Sequence, residues 1–173
     1  MPITSNLPPS VLFVQRAQHL RRHPGQNGFP GGIEEPGDRG DPVTTALREL
    51  SEELGVGAER VKIVGRLPDV RQGLNRFIIT PIVGVLAAPA RFSLDENEIV
   101  DAFFVPLSTI VADGALAVDH ELTKIRGKAM YALNYEGRRI WGFTAQILKS
   151  FVDAWNAPAS SLRRAVNHAL AAS

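Results

Sequence analysis

Between Asp41-Pro42 and Gly55 the chain carries a helix marked at both ends, and no other segment constrains the fold as strongly. Aspartate caps the free amides of a first turn, proline suits the first helical position, and glycine takes the left-handed conformation that closes a helix. At about 100° per residue, Val43, Ala46, Leu47, Leu50 and Leu54 share one stripe, while Glu49, Glu52 and Glu53 lie on another side. One face must therefore pack against other elements, and the other is left for solvent or chemistry.

Around this helix the pattern predicts mixed α/β structure. Residues 11–14 form a short apolar, β-branched strand that feeds a loop over 16–32 rich in Arg, His, Gly and Pro. Strands are expected over 61–67, 76–86 and 102–106, with Pro81 implying an edge position or a bulge in the second. Segments 128–133 and 139–141 flank Asn134-Tyr-Glu-Gly137, a hairpin signal. Helical periodicity follows over 144–155, and a last helix over 160–172 whose packing the sequence leaves open. No internal repeat or low-complexity linker divides residues 1–173, which are read as one domain.

The bulk numbers exclude several classes of function. With 19 Lys+Arg against 18 Asp+Glu the formal charge is +1, which favours neither a nucleic-acid groove nor a polybasic membrane contact. No apolar run approaches the roughly 20 residues a bilayer span needs, and the first residues lack a secretory pattern. The absence of cysteine rules out disulfides, thiolate metal sites and a cysteine nucleophile. The expected location is the cytoplasm, and any anion site must be local.

Three glutamates within five residues repel one another, and each such pair costs a few tenths of a kcal/mol on an exposed helix. A hard divalent cation such as Mg²⁺ compensates well, because it takes carboxylate oxygens and leaves positions for water and phosphate. The alternative for the cluster alone is a solvated acidic face.

The segment Arg48-Glu49-Leu50-Ser51-Glu52-Glu53-Leu54-Gly55-Val56 resembles the second half of the signature of the Nudix hydrolase superfamily at every specified position. Phe29-Pro30-Gly31-Gly32 stands upstream, where Nudix proteins place a Gly-Gly turn, so the motif region covers about 32–56. The resemblance implies a mixed sheet sandwiched between helices (α/β/α) and a metal-dependent diphosphate hydrolase using Mg²⁺ or Mn²⁺. It makes Glu49, Glu52 and Glu53 the metal ligands and has Arg48 pair with a helix carboxylate to orient it. Gly31 and Gly32 then supply a backbone conformation closed to other residues, with the Gly32 carbonyl as a further possible ligand. The first half of the signature departs from the pattern: Gly32 stands sixteen residues before Arg48 instead of fourteen, and Gly40 occupies the place of a glutamate. A two-residue insertion accounts for the spacing. Asp38 or Asp41 is placed to replace the glutamate, although Asp41 also suits the helix cap. Glu98, in an acidic segment before Phe103-Phe104-Val105-Pro106-Leu107, resembles a late acidic position of the family and is a candidate ligand or base.

Within that superfamily, Arg16-Ala17, Arg21, Gly25 and Phe29-Pro30-Gly31-Gly32, each separated from the next by three residues, resemble the motif of the coenzyme A pyrophosphatase branch. Ile140-Trp141-Gly142-Phe143-Thr144-Ala145 resembles a later segment of the same branch. The implied reaction splits coenzyme A into 4′-phosphopantetheine and adenosine 3′,5′-bisphosphate, with Arg16 and Arg21 binding substrate through guanidinium–phosphate contacts beside Gly31 and Gly32. Other readings are a Nudix hydrolase of NADH or ADP-ribose, and a Nudix-like module that binds a nucleotide without cleaving it. Relatives of this branch carry an apolar strand before the equivalent of 11–14, where only ten residues stand here, so a sheet strand is expected to be absent or supplied by another segment.

Overall fold

The computed structural model describes residues 1–72, 77–88 and 91–173, Gln72 by its backbone alone. Its main sheet contains β1 (Pro2–Thr4), β2 (Ser10–Arg16), β3 (Asn27–Gly28), β4 (Val61–Arg66), β7 (Ile82–Leu86) and β8 (Ile99–Pro106). Between β4 and β7, β5 (Val70–Gln72) and β6 (Phe77–Ile79) form a separate two-stranded ribbon. A third sheet joins β9 (Ala117–Val118), β10 (Tyr131–Tyr135) and β11 (Arg138–Trp141). The helices are α1 (Pro42–Leu54), α2 (Leu107–Val111), α3 (His120–Arg126), α4 (Gly142–Asn156) and α5 (Ser161–Ala171).

Strand β2 is the axis of the main sheet. It pairs antiparallel with β8 along its whole length, from Ser10 opposite Pro106 to Arg16 opposite Ile99. Its other edge is shared by β1 at one end and β3 at the other. Strand β1 also runs parallel to β7, which makes the sheet mixed. Alternation along β2 then sends successive side chains to opposite layers. Val11 and Phe13 enter a core with Ile147, Leu148 and Phe151 of α4 and with Val166 and Ala169 of α5. Leu12 and Val14 enter a second core with Leu50 and Leu54 of α1. The result is the expected α/β/α sandwich, and the last helix, whose packing was open, lies on the face opposite α1.

The ends of α1 follow from its sequence. The Asp41 carboxylate accepts from Val43 N at 3.1 Å and Thr44 N at 3.2 Å, and Gly55, at φ +67°, donates its N–H to Ser51 O at 2.8 Å. Asp41 is thus the helix cap. Of the predicted stripe, Leu50 and Leu54 are buried, whereas Val43, Ala46 and Leu47 are half-buried.

Two expectations are corrected. The residues before β2 do supply a strand, since Pro2–Thr4 is hydrogen-bonded on both edges, to β2 and to β7. It escapes a propensity reading because three residues carry too little pattern. Pro81 marks neither an edge nor a bulge. It separates β6 from β7, a fully buried strand held between β1 and β4. The first residue of that expected strand, Arg76, lies outside the described residues. The hairpin turns at Glu136-Gly137, both at positive φ (48° and 75°), the pattern of a two-residue type I′ connection.

Candidate active site

Four segments converge on the polar side of α1: the end of β2, the loop 29–32 after β3, the 3₁₀ turn Pro36–Asp38, and the loop leading into β8. The loop before β8 is fastened to the end of α1 by Ser93 N donating to Leu54 O and Asp95 N donating to Glu53 O, both at 3.0 Å. Asp95 also accepts from Asn97 N and Nδ2, which shapes the turn. Glu98 follows, exposed, with its carbonyl accepting from Ala17 N at 2.8 Å. It is thereby near enough for its charge to act on both Glu49 and Glu53.

Glu53 is the inner carboxylate of the group. The helical periodicity places it on the side of Glu49 and Glu52, away from the apolar stripe, and it is only 3% accessible, covered by the loop and by Arg16. Gly31 N donates to its Oε2 at 3.0 Å, and Arg16 Nη1 stands 3.8 Å from its Oε1. Burial pushes its carboxyl up to about 7; the Gly31 hydrogen bond opposes the shift, and the Glu49 charge adds to it. Glu49, partly buried, is also shifted up by burial, against the pull of Arg48.

Arg48 pairs with helix carboxylates, the expected contact, and is held from outside the helix as well. Its Nε and Nη2 donate to the two Asp38 oxygens at 3.1 and 3.0 Å, and Nη2 also donates to Ile33 O at 2.9 Å. Its Nη1 meets Glu52 Oε2 at 2.8 Å and Glu49 Oε1 at 3.1 Å. The guanidinium bonds hold the buried Asp38 carboxyl far below the usual carboxylate range. Asp38 additionally accepts from Glu35 N and Thr45 Oγ1. Of the two aspartates weighed as substitutes for the glutamate at Gly40, Asp38 thus makes the arginine contact.

The two glycines differ in their reasons. Gly31 has φ +149°, a backbone disfavoured for other residues, whereas Gly32 is required by space: a Cβ there would stand 2.2 Å from Glu49 Oε1. Arg21 is exposed in the loop and makes no hydrogen bond or ion pair among the described residues. The structure brings Arg16, Gly31, Gly32, Arg48, Glu49, Glu53 and Glu98 together, and Glu52 adjoins them through Arg48.

The sequence matches the model of the NUDIX domain over residues 4–125. A Pectobacterium atrosepticum protein described as an uncharacterized Nudix hydrolase, NudL, is 36% identical over 149 residues, covering 86% of this chain and 76% of its own. The chain belongs to the Nudix family. A Yersinia pestis Nudix hydrolase of the same description is 35% identical over 152 residues, covering 86% of this chain and 74% of its own. Two solved structures share the Nudix fold at identities that speak to fold alone. A MutT/nudix family protein from Enterococcus faecalis has a TM-score of 0.55 at 15% identity, covering 94% of this chain and 64% of its own. The Ap4A hydrolase of C. elegans has 0.51 at 17%, covering 90% and 93%. Helix α1 lies within the matched region, and its Glu49 and Glu53 face the Gly31-Gly32 loop.

Among the described residues no three His, Asp or Glu side chains already converge as metal ligands. Glu49 and Glu52 both meet the Arg48 guanidinium. The residues present nevertheless suit a hard divalent cation: Glu49, Glu52 and Glu53 offer carboxylate oxygens, and the buried Glu53 carboxylate meets a single backbone N–H and a distant guanidinium. Among the described residues no helix is long and apolar enough to cross a membrane.

Proposed function

We propose that this Nudix hydrolase splits the diphosphate of coenzyme A or one of its derivatives, giving 4′-phosphopantetheine and adenosine 3′,5′-bisphosphate. One observation carries the reading. The loop whose spacing resembles the coenzyme A pyrophosphatase branch is the same loop that walls the acidic site: Arg16 faces Glu53, Gly31 N holds Glu53, and Gly32 makes room for Glu49. Motif and carboxylates form one constellation.

In this assignment Glu49, Glu52 and Glu53 would hold a divalent cation, Mg²⁺ or Mn²⁺. When bound, such a cation would supply positive charge against the diphosphate and polarise its phosphoryl oxygens. Arg48, fixed by Asp38, orients the helix carboxylates. Glu98, exposed at the rim, takes the proton from the attacking water. Water adds to one phosphorus, the bridging P–O bond breaks, and the other phosphate leaves with the electron pair. Arg16 and Arg21 bind phosphate oxygens of the substrate. Residues 1–173 act as one unit, because α4 and α5 complete the core behind β2.

Incubation with Mg²⁺ or Mn²⁺ and, separately, coenzyme A, NADH, ADP-ribose and a nucleoside triphosphate, with products identified by mass, tests the assignment. Turnover of coenzyme A above the others is expected. Preferred turnover of NADH or ADP-ribose would overturn the substrate, and no metal-dependent turnover of any would overturn catalysis.

A further inference from the structure

Three aromatic rings stand in a row across the main sheet, in the core beneath α4 and on the face turned away from α1. Gly28 of β3 lies opposite Val14 of β2, so the next residue, Phe29, comes opposite Phe13, and their rings stack with centroids 4.9 Å apart and 25° between planes. On its other edge Phe13 is opposite Phe103 of β8, at 5.5 Å and 18°. Phe13 is fully buried. Arg138 closes the row, its guanidinium 4.3 Å from the Phe103 ring centroid and fixed by Asp101 at 2.6 Å. Asn27 Nδ2 donates to Arg139 O at 3.0 Å and ties β3 to the same hairpin.

This row sets where the chain leaves the sheet. Beyond Phe29 the β2 edge is taken by β1, with Ile3 opposite Val11 and Thr4 opposite Ser10, so the chain cannot continue as a strand. Pro30 follows with its φ locked by the ring, and Gly31 turns at φ +149°. Gly31 stands two residues from Phe29, at most about 7 Å away along the chain. Its N–H donates to Glu53 Oε2 at 3.0 Å, the one hydrogen bond that reaches this carboxylate among the described residues. The seat of one ring on the α4 face and the orientation of a buried carboxylate on the α1 face are therefore joined by a short, stiff piece of backbone.

We propose that Phe29, seated on Phe13, is a positioning residue of the acidic site, acting through the Gly31 N–H on Glu53. The proposal rests on the reading of that site as a diphosphate hydrolase, but its first test needs no turnover. In EDTA at one pH, exchange of the Gly31 amide proton with water is followed by NMR in the wild type, Phe29→Ala, Phe29→Tyr and Leu170→Ala. Leu170 of α5 packs on the same core and serves as the control for lost packing. Phe29→Ala should speed the Gly31 exchange about tenfold, the scale of one lost hydrogen bond, whereas the other two variants stay near the wild type. Phe29→Leu, which keeps the bulk and loses the ring, replaces the alanine variant should that one not fold. Unchanged exchange on loss of the ring, or equal acceleration in Leu170→Ala, would overturn the proposal. On whichever diphosphate is turned over, Phe29→Ala should lower kcat about tenfold at similar KM, and Phe29→Tyr should restore it. Wild-type kcat in Phe29→Ala would contradict the positioning role. A wild type that hydrolyses no diphosphate, while loss of the ring still frees Gly31, would contradict the hydrolase reading and leave the seat of Gly31 standing.

Discussion

Asp38 and Arg48 meet through two parallel hydrogen bonds, Nε to Oδ1 at 3.1 Å and Nη2 to Oδ2 at 3.0 Å, although they stand ten positions apart with a helix start between them. This fork fixes the guanidinium so that Nη1 is left for Glu49 and Glu52. Asp38→Asn places an amide against the fork, and both the melting temperature and kcat should fall. Adding Gly40→Glu should not rescue it, because Gly40 sits at φ +76°. The Asp38 pKa is lowered in the fold, so its stabilisation is complete above the ordinary value of 3.8 and lost as pH falls below it. Unchanged kcat in Asp38→Asn would show that the fork does not position the site.

Glu53 gives the opposite sign. Its folded pKa is raised from 4.5 to about 7, so the folded state prefers the protonated form and loses stability as pH rises from 4.5 through 7. In EDTA, Glu53→Gln should match the wild type near pH 4 and exceed it by about 3 kcal/mol at most above pH 7. Denaturant melts across that range measure the difference, and a gap that does not grow with pH would place the carboxylate in a solvated environment.

The two glycines separate space from backbone. Gly32→Ala should push the Glu49 carboxylate aside, reducing turnover at least tenfold with little change in melting temperature, since the flexible end of the side chain yields. Gly31→Ala meets no atom within 4 Å but must hold φ +149°, and should cost on the order of 1–3 kcal/mol of stability. Calorimetry and rates on both variants check the pair; the reverse pattern would reject it.

Leu50→Ala should cost about 2–5 kcal/mol, because the side chain is 4% accessible and packs with Leu12 and Leu54 beneath the sheet. Equal stability, read from chemical unfolding, would mean that α1 turns another face inward.

Arg21 separates recognition from general damage. If it binds the 3′-phosphate, Arg21→Ala should lower turnover of coenzyme A much more than that of its 3′-dephospho form. Equal losses would remove Arg21 from substrate recognition.

The local signals were legible where they act locally. Asp41, Pro42 and Gly55 bound α1 through contacts within a few residues, and the alternation of Val11 to Val14 divides two cores as a strand must. The burial of Glu53 was not legible, because its cover comes from Gly31 and Arg16, far away in sequence, while helical periodicity reports only on the helix itself. Asp38 could be named as a candidate by spacing, but its choice over Asp41 depends on a guanidinium arriving from the next helix. Pro81 was read as a blemish within one strand because nothing local says that β6 and β7 belong to different sheets.

The most direct measurement is the product mass spectrum from coenzyme A and Mg²⁺ or Mn²⁺, run in parallel on the wild type and Glu53→Gln. The expected result is 4′-phosphopantetheine and adenosine 3′,5′-bisphosphate from the wild type, and a rate lower by orders of magnitude from the variant. Release of inorganic phosphate in place of the two halves, or a wild-type rate from Glu53→Gln, would contradict diphosphate cleavage at this carboxylate cluster.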